Sequence, residues 1–302
     1  MEFLRPADWA EALAAKAAHP DALPIAGGTD VMVELNFDRA RPAVLLDLTR
    51  IRELTDWASA DGSIRVGAGV TYHRLISEIG GRLPGLAMAA RTVGSPQIRN
   101  RGTVGGNLGA ASPAGDAHPP LLANDAVVEA HSVRGIRLIP IAEFYTGVKR
   151  NALAPDELIA AFWMRPATGP QQFSKIGTRN AMVIAVTAFA LALHPDQGRV
   201  GTGFGSAAPT PRAATAAARF LEDELSDTGR WESRAELAPA TVTRFGELVA
   251  AAASPIDDVR GSARYRRHAL SVMARRTLVW AWNDYRRTGR EPSEGQVSSR
   301  CA

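Results

Sequence analysis

Residues 103–116 read TVGGNLGAASPAGD, and a second run of small residues, PIAGGTD, stands at 24–30. Glycine removes the Cβ where backbone must approach a ligand closely. Consecutive N–H groups freed in this way can point into one concavity that suits phosphate oxygens. Thr29, Thr103 and Ser112 add hydroxyl donors to the same anion. Asn107 both donates and accepts, and it tolerates left-handed backbone. Asp116 is a poor neighbour for phosphate but a good acceptor for hydroxyl or ring N–H groups. Together these residues suit a ligand with a diphosphate at one end and hydroxyls and a heterocycle at the other. Two tight turns near a sheet or barrel edge would explain the glycines without any ligand.

Other chemistries find no support. None of the three lysines, Lys16, Lys149 and Lys175, follows a glycine, so there is no phosphate-binding G-x-x-x-x-G-K-[ST] loop. GAGVTY at 67–72 lacks the third glycine of a dinucleotide fingerprint, and GTGFGS at 201–206 has the wrong spacing. The six histidines are scattered, with no H-x-x-x-H pair for a metal. No G-x-S-x-G nucleophile elbow is present. The single cysteine, Cys301, permits neither an intrachain disulfide nor a cysteine-ligated cluster.

These segments must be held by a framework, and 302 residues suffice for about two domains. The chain is 46% hydrophobic and 22% charged, ordinary for a globular protein. Its pI of about 9.6 reflects arginine supplying nearly all the cations, while the formal charge is only +4. No dense basic run or aromatic-basic stripe favours nucleic acid. The N-terminus lacks a secretory pattern, and no stretch approaches the length of a membrane span. The expected compartment is the cytoplasm. Residues 7–18 predict a helix, followed by strands in ALPIAGG, AVLLDL (43–48) and SIRVGAGVT (63–71). Helix resumes over 72–91, broken at Gly80, Gly81 and Pro84. DAVVEAHS and GIRLIPI form a hairpin about Arg134–Gly135, and strands follow in ELIAAFWM and QFSKIG. Beyond about 170–178, two antiparallel strands joined by PDQG precede Ala-rich helices. In the last helix, Tyr265, Leu270, Met273, Leu278, Val279 and Trp280 are expected to share one apolar face. The class is α+β.

AGGTD at 26–30, QIRNRGTVGGNLGAASPAGD at 97–116 and KIGTRNAMVIAV at 175–186 resemble, in order and spacing, the FAD-binding medium subunit of the xanthine dehydrogenase and carbon monoxide dehydrogenase family of molybdenum hydroxylases. SARYRRHALSVMARR resembles the end of that family's C-terminal domain. The resemblance implies an FAD-binding domain of the vanillyl-alcohol-oxidase type over residues 1–172, with subdomains at about 1–55 and 56–172. It further implies a C-terminal domain over 173–290, a three-stranded antiparallel sheet with a helical bundle, and a disordered tail at 291–302.

The resemblance also implies site residues. Ala26, Gly27, Gly28, Thr29, Asp30 and Val31 would surround the diphosphate with Thr103, Gly105, Gly106 and Asn107. Ser112 and Asp116 would bond the ribityl or ring region. Val93 would lie near the flavin, where animal xanthine enzymes carry an aromatic side chain. Ile159, or Leu158, would contact the ring or adenine. Lys175 would sit near the ring and stabilise its reduced, anionic form; as an alternative it is a strand-edge surface lysine. Arg99, Arg101 and Arg179 could complement phosphate or a nicotinamide dinucleotide, or be solvated surface. The implied partners are a large subunit with the molybdopterin cofactor and a small one with two 2Fe–2S clusters, assembled as a dimer of heterotrimers, with NAD or another electron acceptor. Xanthine or hypoxanthine is the leading substrate. Carbon monoxide, nicotinate, aldehydes and other N-heterocycles are alternatives, as are a free-standing FAD oxidase and a basic protein binding nucleic acid or another anionic partner.

Overall fold

Asp8 starts the first helix. In the computed structural model, which describes residues 1–288, its carboxylate accepts the Glu11 N–H at 2.9 Å, while Glu11 reaches back to the Ala7 N–H at 2.8 Å. This helix, α1 (Trp9–Ala18), ends where Lys16 donates to the carbonyls of Pro20 and Ala22. The chain then enters a small parallel sheet of β1 (Glu2–Leu4), β2 (Leu23–Ile25) and β3 (Val44–Asp47), in the order β1-β3-β2. The glycine segment 26–30 connects β2 to α2 (Val31–Asn36).

The second sheet is antiparallel. It contains β4 (Trp57–Ala60), β5 (Ser63–Gly67), β6 (Val127–Ser132), β7 (Gly135–Pro140) and β10 (Leu158–Met164), ordered β4-β5-β10-β6-β7, beside a short ribbon of β8 (Tyr145–Gly147) and β9 (Arg150–Asn151). The hairpin loop is Val133–Arg134, one residue earlier than the sequence predicts, because Ser132 pairs with Gly135 and that glycine supplies the φ of +131°. Helices α3 (Tyr72–Arg74), α4 (Pro84–Arg91), α5 (Pro96–Arg101), α6 (Val104–Ala110), α7 (His118–Ala123) and α8 (Ile141–Phe144) complete this half. One core joins both sheets, from Ala12 and Leu46 through Ile64 and Val66 to Phe144 and Phe162.

The C-terminal half is an antiparallel sheet of β11 (Gln171–Ile176), β12 (Thr187–His194) and β13 (Arg199–Gly205) with α9 (Thr215–Asp227), α10 (Arg230–Ser233), α11 (Pro239–Ala251) and α12 (Ala263–Thr288). Period-two alternation divides the sheet into unlike faces. Phe189, Leu191, Leu193, Val200 and Phe204 enter a core with the helices. The opposite face pairs Ala188 with Gly205, Ala190 with Gly203 and Ala192 with Gly201. With almost no side chain there, α7 lies directly on β13. A Cβ at Gly201 or Gly203 would overlap the carbonyl oxygen of Ala123 or Pro119. The GTGFG run rejected as a dinucleotide motif is therefore a docking face between the two halves.

In α12 the buried side is Arg266, Ala269, Leu270, Met273, Ala274, Thr277, Leu278, Ala281, Trp282 and Tyr285. Tyr265, Val279 and Trp280 face solvent, contrary to expectation. The 100° step per residue separates Val279 and Trp280 from the Leu278–Ala281–Trp282 stripe. Arg266 is buried because it donates to the Val186 and Ser206 carbonyls, each at 2.7 Å, and to Asp258 at 2.5 Å. The tail at 291–302 and Cys301 lie outside the described residues.

Candidate functional site

The two glycine segments meet. Gly27 lies against the backbone of Arg101 so closely that a Cβ there would overlap the Arg101 carbonyl. The Thr29 hydroxyl faces Gly102, 3.3 Å from where its Cβ would stand. Gly28 takes a φ of +75°, which turns the chain into α2. Ala26, Thr29, Asp30 and Val31 line this connection between β2 and α2.

The second segment is not the glycine turn after a strand that its composition suggests. It follows α5, and Gly105 and Gly106 begin α6. Thr103 is the N-cap; its hydroxyl accepts the Gly106 N–H at 2.8 Å. That N–H is thus bonded within the protein, and the concavity is a capped helix start flanked by the hydroxyls of Thr103 and Thr29. The two glycines differ in purpose. A Cβ on Gly105 would strike the backbone and side chain of Ala68, so Gly105 lets α6 pack on the end of β5. Gly106 is exposed, and its added Cβ would meet only Thr103 Oγ1, at 3.2 Å. Gly109, one turn on, is also exposed, with Ile159 Cδ1 at the 4.0 Å edge of contact. Ala68 is seated by its N–H to the Ala160 carbonyl at 2.9 Å, at an irregularity in β10 between Ile159 and Ala161.

After α6, Ala111 adopts left-handed backbone. The turn 112–115 closes with the Gly115 N–H on the Ser112 carbonyl at 3.0 Å, and Ser112 Oγ accepts the Ala114 N–H at 3.3 Å. Asp116 is buried. Its Oδ2 accepts from Lys175 Nζ at 2.5 Å and from the Thr92 hydroxyl at 3.1 Å. The Lys175 side chain is 8% exposed, which rules out the surface-lysine alternative. Burial pushes the Asp116 carboxyl up, against the opposing pull of Lys175 and Thr92. Parity on β11 aims Gln171, Phe173 and Lys175 at the N-terminal half: Gln171 bonds Gly85 and Asn124, and Phe173 packs with Ala89. Val93 is half-buried, and its carbonyl accepts from Arg99.

Two sequence candidates hold backbone instead of facing an anion. Arg99 Nη1 donates to the carbonyls of Arg91, Val93 and Gly94. Arg179 donates to those of Ala181 and Met182. Arg101 is exposed, and its carbonyl backs Gly27. Thr92, His118, Tyr145 and Asn151 were missed. Only His118, two residues past Asp116, had a positional signal. Asn151 donates to the Gly109 carbonyl at 3.0 Å, fixing the end of α6.

Residues 1–164 match the family model described as FAD binding domain in molybdopterin dehydrogenase, and residues 172–281 match that of the CO dehydrogenase flavoprotein C-terminal domain. The chain belongs to the FAD-binding medium subunits of the molybdenum hydroxylases. It is 32% identical over 286 residues to the putative xanthine dehydrogenase FAD-binding subunit of Escherichia coli strain K12, covering 91% of this chain and 94% of that protein. It is 35% identical over 210 residues to the nicotinate dehydrogenase FAD-subunit of Eubacterium barkeri, covering 67% and 71%. A carbon monoxide dehydrogenase chain from Hydrogenophaga pseudoflava superimposes with a TM-score of 0.84 at 26% identity, covering 94% of this chain and 98% of that one. The chain is thus an oxidoreductase subunit with an FAD-binding domain.

The side chains of this FAD-binding subunit fit such a cofactor. Asn107 Oδ1 and Asp116 Oδ1 are buried without hydrogen-bond partners. Buried acceptors are ordinarily paired, and a hydroxyl-rich chain and ring N–H would pair them. Among the described residues, no group of three or more His, Cys, Asp or Glu is placed to hold a metal, and no helix is long and apolar enough to cross a membrane.

Proposed function

We propose that FAD lies along the seam where the two glycine segments meet, with its diphosphate between 26–31 and the α6 start and its flavin ring toward Asp116 and Lys175. The meeting of Gly27 and Thr29 with Arg101 and Gly102 carries this reading. Thr29 and Thr103 donate hydroxyls to the diphosphate, while Gly106 leaves the exposed start of α6 bare. Gly105 supports from behind, through Ala68. Asn107 lies at the diphosphate end, Ser112 bonds the ribityl or ring region, and Asp116 accepts from a ribityl hydroxyl or ring N–H. Ile159 supplies apolar surface near Gly109, and Val93 backs the ring. Bound FAD exchanges electrons singly or in pairs. Lys175 supplies the compensating positive charge and Asp116 moderates it.

The subunit takes electrons from 2Fe–2S clusters on a small partner, beside a large molybdopterin subunit, and passes them to NAD or another acceptor. The assembly is a cytoplasmic dimer of heterotrimers. Xanthine or hypoxanthine is the favoured substrate, supported by the likeness to the Escherichia coli subunit. The FAD-binding half ends at about 172, with its subdomains dividing near 55. The purified chain should be yellow, with absorption bands that dithionite bleaches; a folded chain that takes up no FAD refutes the placement. Co-purification with an iron–sulfur and a molybdenum subunit tests the assembly, and turnover of xanthine against nicotinate tests the substrate.

A further inference from the structure

A polar pair, the buried His118 and the half-buried Tyr145, lies beneath the 112–115 turn. His118 is fully buried, and the Tyr145 hydroxyl meets its Nδ1 at 2.7 Å, with the rings edge to face at 4.9 Å between centroids. The other ring nitrogen, Nε2, is buried without a hydrogen-bond partner. It lies directly under Gly115: a Cβ on that glycine would overlap Nε2 and come within 2.7 Å of Asn107 Nδ2. On the other side, the Ser206 N–H donates to the Pro113 carbonyl at 2.8 Å. The turn is therefore held between an imidazole floor and the C-terminal half, with Ser112 at its start and Asp116 just after its end.

We infer that His118 and Tyr145 are positioning residues for FAD: together they set the height of the 112–116 segment and, through it, the placement of the Ser112 hydroxyl and the Asp116 carboxylate. The inference rests on the FAD placement proposed above. Neither partner changes charge at ordinary pH. Burial pushes the His118 imidazole down to about 3, only partly offset by the Ser112 backbone, and burial holds the Tyr145 phenol well above its usual value. A neutral imidazole carries one hydrogen, and its partner decides which nitrogen holds it. A Tyr145 hydroxyl donating to Nδ1 leaves that hydrogen on Nε2, facing the underside of the turn. Without the hydroxyl, Nδ1 is buried unpaired and the ring loses the contact that orients it.

The test uses the full chain with FAD, in Tyr145→Phe, His118→Phe and the double variant. Affinity is read from flavin fluorescence on titrating the FAD-free chain, and the ring environment from the visible band and midpoint potential. Tyr145→Phe should weaken FAD binding about tenfold, the order expected for one lost buried hydrogen bond, and should shift the band. The double variant should lose no more than His118→Phe alone, because the two residues act as one unit. Unchanged affinity and band in Tyr145→Phe, or additive losses in the double variant, would overturn the inference. His118→Asn keeps an amide where Nδ1 stood and should hold FAD within about threefold. If Tyr145→Phe does not fold, equal losses in His118→Asn and His118→Phe overturn the inference instead. Gly106→Val separates the two claims. If it retains FAD, the placement itself fails. If it loses FAD while the Tyr145 and His118 variants bind normally, only the positioning role fails.

Discussion

Lys175 Nζ sits 2.5 Å from Asp116 Oδ2, and the two side chains come from opposite halves of the chain. The pair is nearly shut off from water, so it acts as a charge-balanced unit beside the proposed ring. Lys175→Met leaves Asp116 alone in an environment that already pushes its carboxyl up. The midpoint potential of bound flavin should fall, and by more at high pH, where Asp116 is ionised, than at low pH, where it takes up a proton. Lys175→Met/Asp116→Asn should recover most of the loss. Redox titrations over a range of pH check this; a shift that is the same at every pH contradicts it.

Gly105 and Gly106 should fail in different ways. Gly105→Ala drives a methyl into Ala68 and should lower the melting temperature of the FAD-free chain, by the equivalent of about 1–3 kcal/mol. Gly106→Val meets only the Thr103 hydroxyl, at 3.2 Å, and should lower that temperature less than Gly105→Ala while abolishing FAD retention. Calorimetry and the ratio of flavin to protein absorbance distinguish the two.

Asp258 should support stability in a defined pH window. Arg260 and Arg266 hold its carboxyl well below the usual carboxylate range. A depressed folded pKa contributes stability that is present above the unfolded value, about 4, and is lost as pH falls through the folded one. The stability difference between wild type and Asp258→Asn should therefore be flat from about pH 8 to 5 and shrink below about pH 4. Arg266→Met, which also strips Val186 and Ser206 of their donor, should cost about 3 kcal/mol or more at neutral pH. Urea unfolding across pH measures both.

Gly203→Ala places a methyl against the Pro119 carbonyl at the seam between the halves. Melting should drop by several degrees, on the order of 1–3 kcal/mol. The connection at 165–170 should become more open to proteolysis, and FAD should dissociate faster. An unchanged cleavage rate counts against the seam as the docking contact.

Much of the architecture was legible in local pattern. The two antiparallel strands joined by PDQG, the first of them TAFALALH, and the breaks at Gly80, Gly81 and Pro84 appear where the sequence puts them. The faces were harder to read. Nothing in TAFALALH says that its alanines meet α4 and α7 while its larger residues meet α11 and α12; that depends on two distant segments. The same limit explains α6. TVGGNLG reads as a turn because glycine disfavours helix, yet the Thr103 cap and the tight contact with Ala68 favour a short helix. Lys175 and Asp116 were both candidates in the sequence, but their pairing across 59 positions of the chain was visible only in three dimensions. His118 was signalled only by its place two residues past Asp116 and Tyr145 by nothing, because packing gives them their role.

The alanine and glycine face of β12 and β13 has one further consequence. A seam of ordinary side chains can absorb a displacement by changing rotamers. Where β13 meets α7 the contact is backbone to backbone and has no rotamers to change. The position of β11, and of the charge on Lys175, is therefore referenced to the N-terminal half with the stiffness of the main chain. Any ångström by which the halves separate must displace Lys175 from Asp116 and, with it, the proposed flavin site.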